Sequence, residues 1–67
     1  MTKDEVYWFL CGKAEYALNS RDIELMYEAY GMAKMALKLD AITREQFNEL
    51  NTKLVRNGIN NPRSYDD

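Results

Sequence analysis

The chain is 67 residues long, 46% apolar and 30% charged, with a net charge of −2, one cysteine and no histidine. A chain of this length is one domain at most and buries only about 60% of the surface its unfolded form exposes. The lone thiol, Cys11, excludes an internal disulfide, and the missing imidazole excludes His-based metal sites, general bases and catalytic triads. No cofactor is implied, no glycine-rich phosphate loop is present, and an enzyme is not expected.

MTKDEVYWFLCGK opens with mixed charge, so no secretory leader is expected, and no apolar run approaches the roughly 18 residues of a membrane span. The unpaired cysteine suits a reducing compartment, and the expectation is a cytoplasmic protein with no membrane partner. Charge is unevenly placed. Residues 1–33 carry three bases against six acids, residues 34–63 six bases against three acids, and Asp66 and Asp67 close the chain.

The first helix is expected over about 3–18. Thr2 and Glu5 have the spacing of a capping box, and Met1 and Val6 that of a hydrophobic staple. One stripe of this helix, Val6, Leu10, Ala14 and Ala17 with Tyr7, Cys11 and Leu18, is a conventional core face that makes Cys11 a buried, inert thiol. On the opposite side Trp8, Phe9 and Tyr16 gather around Gly12.

The second helix is expected over about 20–39, with Asn19 as N-cap, Asp22 in the positive first turn and Leu18 stapled to Ile23. Two heptad-compatible stripes run along it, one from Ile23 through Met26, Tyr30 and Ala33 to Leu37, the other from Leu25 through Ala29, Met32 and Ala36 to Leu39. Their centres lie about 120° apart on a helical wheel, so this helix faces two neighbours. Gly12 and Gly31 each cost about 1 kcal/mol against alanine inside a helix. They are either tolerated or kept for the close approach of a partner.

The third helix is expected over about 44–57. Thr43 with Gln46 repeats the capping box and Ile42 with Phe47 the staple, and Phe47, Leu50 and Leu54, with Val55 at the margin, form a narrow apolar stripe. Gly58 has the place of a left-handed C-cap, with Ile59 returning onto Leu54, and Pro62 forbids continuation. These elements predict an all-α three-helix bundle, with residues 1–60 as a single helical domain and 61–67 as a flexible tail.

A single copy of such a bundle hides one face of the first helix and leaves Trp8, Phe9 and Tyr16 outside, unless a loop or the tail with Tyr65 covers them. Contiguous aromatic surface marks an interface. The functional expectation is a small non-enzymatic protein–protein interaction module, homodimeric or bound to a protein partner, with Trp8, Phe9, Tyr16, Leu25, Met32 and Met35 at the contact. Met26, Met32 and Met35 would make that surface adaptable. The alternative is a small nucleic-acid-binding regulator that reads with its third helix through Arg44, Asn48, Asn51, Lys53 and Arg56. Glu45 and Glu49 interrupt that basic face, and a solvated charged surface explains it as well.

The stretch MALKLDAITREQFNELNTKLV, residues 35–55, resembles the short C-terminal helical hairpin domain of many bacterial proteins. The matching positions are Leu37, Leu39, Ile42, Thr43, Glu45, Gln46, Phe47, Lys53 and Leu54, and the chain departs from the pattern at Ala41, where that family usually has glycine. The resemblance implies an interaction or oligomerisation role and no catalytic residues. In size and helical economy the chain also resembles the small accessory proteins of bacteriophages and mobile elements, which implies binding and modulating a host protein.

Overall fold

The computed structural model describes residues 1–59 as helices with no strand: α1 over Lys3–Ser20, α2 over Ile23–Lys38, and α3 over Arg44–Asn51, continued without a break by a π-helical segment, Thr52–Ile59. The expected tail, 61–67 with Pro62 and Tyr65, lies outside the described residues. Among the described residues no helix is long and apolar enough to cross a membrane.

Both capping boxes form. Thr2 Oγ1 accepts from Glu5 N at 3.1 Å while Glu5 Oε1 accepts from Thr2 N at 2.9 Å, and Thr43 with Gln46 repeats the two bonds at 3.1 and 2.9 Å. The backbone and side-chain donors of Thr2 hold the Glu5 carboxyl below its ordinary pKa. Of the expected staples, Ile42 is buried and Phe47 packs against the core, whereas Met1 is exposed.

The α1–α2 junction differs from expectation. α1 continues through Asn19 and Ser20, and Asp22 is the N-cap of α2, its Oδ1 accepting from Glu24 N at 3.0 Å and Leu25 N at 3.3 Å. The reason is a Schellman turn: Arg21 N donates to Leu18 O and Asp22 N to Ala17 O, with Arg21 left-handed at φ 53°. Leu18 and Ile23 consequently do not flank an N-cap, and no staple joins them. α2 ends in the same way. Asp40, at φ 58°, donates to Leu37 O and Ala41 N to Ala36 O, so the left-handed position precedes Ala41 and the chain does without a glycine there.

Gly58 is the second correction. It is not left-handed, and the helix does not stop at it. The π geometry carries the sequence onward for a packing reason. In an α-helix Ile59 would point about 140° away from Leu54. At roughly 4.4 residues per turn, Gly58 and Ile59 fall about 30° and 50° to either side of Leu54 instead. Gly58 is accordingly buried and Ile59 packs against the core. A Cβ on Gly58 would stand 2.7 Å from Leu18 Cδ2 and 3.0 Å from Met26 Sδ, so this glycine serves close approach to the end of α1 and the start of α2.

α2 is the central element, packed on α1 by one side and on α3 and its π extension by the other, as its two stripes predict. Much of the core on α1 and α2 is made of small residues: Ala14 and Ala17 of α1 and Ala29, Ala33 and Ala36 of α2 are all buried. The large side chains that are wholly buried are Met26, Ile42, Leu50 and Leu54. Each of these contributes about 1.5–3 kcal/mol, against roughly 0.8 kcal/mol for one buried methyl or methylene group. Met26 is therefore core, not adaptable surface. Cys11 is half-buried at the edge of the same core, less enclosed than its stripe implies.

A polar strip fixes α1 against α3. Lys3 Nζ meets Asp40 Oδ1 at 3.0 Å, Gln46 Nε2 donates to Asp4 Oδ1 at 2.9 Å, the Tyr7 hydroxyl donates to the Glu49 carboxylate, and Lys53 Nζ lies 3.7 Å from Glu15 Oε1. Partners rise together in sequence, so the two helices run parallel. The carboxylate of Glu49, with the Cys11 sulfur beside it, pushes the Tyr7 phenol far above its ordinary pKa. On the far side of α3, Phe47 meets Tyr30 of α2 with ring centroids 6.3 Å apart, and the Lys34 ammonium lies over Tyr30 at 5.5 Å.

Candidate interaction surface

The aromatic residues of the outer face of α1 remain outside. Trp8 is 64% exposed, Tyr16 65% and Phe9 51%, fractions far above those of the core. Helical spacing explains the grouping: positions 8, 12 and 16 are one above the other at intervals of four, with 9 beside 8. Together with Gly12 and Lys13 they line a shallow recess on the helix surface. The Lys13 ammonium lies over the Phe9 ring, 5.6 Å from its centroid.

Phe9 also borders a second recess, in the groove where α1 meets the end of α2, with Val6, Met32, Met35, Ala36 and Leu39 around it. Its lining is almost wholly apolar. Met35 is 56% and Leu39 70% exposed at its rim. The two recesses are thus continuous through one phenylalanine, from Tyr16 across Trp8 and Phe9 to Met35 and Leu39.

Five of the six expected contact residues meet here. Trp8, Phe9 and Tyr16 form the first recess, and Met32 and Met35 join Phe9 in the second. Leu25 does not; it is half-buried against the core and lines neither recess. Leu39 is the residue the sequence pattern hides, because it continues an α2 stripe in register yet falls on the C-cap, where the helix ends before a neighbour covers it.

The residues proposed to read nucleic acid are divided. Arg44, Asn48 and Arg56 are exposed, Asn51 is half-buried, and Lys53 turns toward Glu15 of α1. On a helical wheel Lys53 lies about 180° from Arg44. Asn48 and Lys53 border one shallow recess together with Glu49 and Thr52, and Asn51 and Arg56 border another with Thr52 and Val55. The five side chains therefore form no single basic stripe.

Among the described residues no group of three or more histidine, cysteine, aspartate or glutamate side chains is placed to hold a metal ion. No protein-family model matches the chain, and neither does any curated protein or solved structure. The likeness of residues 35–55 to the helical hairpin domain rests on the residues quoted for it.

Proposed function

We propose that this protein is a small non-enzymatic interaction module that self-associates through the outer face of α1 and the adjoining end of α2. The observation that carries this reading is the continuity of the exposed apolar surface across Trp8, Phe9, Tyr16, Met35 and Leu39. Scattered exposed apolar residues need no explanation, but contiguous ones are costly in water and mark binding surfaces. Tryptophan and tyrosine also lead the residue types that dominate interface energetics, because a large ring is desolvated at little cost in side-chain entropy. Met32 and Met35 suit such a surface, since an unbranched thioether adapts to the shape it meets.

The interior supports the same reading. A core lined by alanines leaves a short chain with little apolar burial, and oligomerisation is one of the usual remedies. Sedimentation over a concentration series tests the proposal. The wild-type mass should rise with concentration, and Trp8→Ala should weaken association by about tenfold or more while leaving helicity intact. A constant monomer mass would remove the reading, and retention on mixed nucleic acid at low salt, lost at high salt, would replace it with the α3 alternative.

A further inference from the structure

We draw no further inference here: the strongest candidate, the apolar groove between α1 and the end of α2 that Phe9, Met35 and Leu39 border, belongs to the exposed surface already described, and nothing in the structure shows what covers it.

Discussion

The two long faces of α1 make opposite use of side-chain size. Toward the core the helix presents Leu10, Ala14 and Ala17; toward solvent it presents Trp8, Phe9 and Tyr16. Small residues inside permit close helix contact but bury little area, whereas the rings outside hold apolar area that folding leaves unused. The difference teaches that size and burial are separated in this chain: the inner face sets how the helices fit, and the outer face keeps large apolar side chains in water.

Substitutions can break or sharpen this contrast. The largest effect is expected inside: Ala33→Leu forces extra volume into a closed part of the core and should cost about 2 kcal/mol in chemical denaturation. By comparison, Trp8→Ala measured at concentrations where only monomer is present should leave the unfolding free energy within about 0.5 kcal/mol of wild type. Glycines come next. Gly31→Ala, on an exposed part of α2 with nothing within 4 Å, should stabilise the fold by about 1 kcal/mol. Gly12→Ala should stabilise the monomer similarly yet weaken self-association, and equal behaviour of the two variants would show that position 12 is not at a contact.

The smallest effect concerns pH. The Glu5 pKa is depressed in the folded state by Thr2, so its contribution is present above the ordinary glutamate range and is lost as pH falls through the folded value. Glu5→Gln keeps a side-chain acceptor for Thr2 but cannot titrate. The acid limb of its melting temperature should be flatter than that of the wild type.

Much of this architecture can be read from local spacing. Thr2 with Glu5 and Thr43 with Gln46 announce two helix starts because a capping box is a four-residue event that needs no tertiary information. The two stripes of α2 and the exposed ring cluster of α1 are legible for the same reason, since helical periodicity alone assigns their faces. The α1–α2 junction is not. Asn19 is a good N-cap by composition, but the turn that forms depends on Arg21 adopting a left-handed conformation for which its residue type gives no sign.

Gly58 illustrates the opposite error. A glycine near a helix end suggests a left-handed cap, yet its role here is set by Leu18 and Met26, which are distant in sequence. Leu25 and Met26 likewise belong to stripes whose partners only the packed structure identifies. The polar strip between α1 and α3 is beyond sequence reasoning altogether, because pairs such as Asp4 with Gln46 and Tyr7 with Glu49 depend on how both intervening turns are closed.

That strip also means that three sides of α1 are packed within the molecule. One side bears Asp4, Tyr7 and Glu15 for α3, the next bears the alanines of the core, a third carries Val6 and Phe9 into the groove beside Met35, and the last holds Trp8 and Tyr16. A saturation scan of the chain should find its most tolerant sites on the outward positions of α2, such as Glu28 and Lys34, rather than along the N-terminal rod. Drift of the sequence would then be channelled into the middle helix, even though that helix lies at the centre of the bundle.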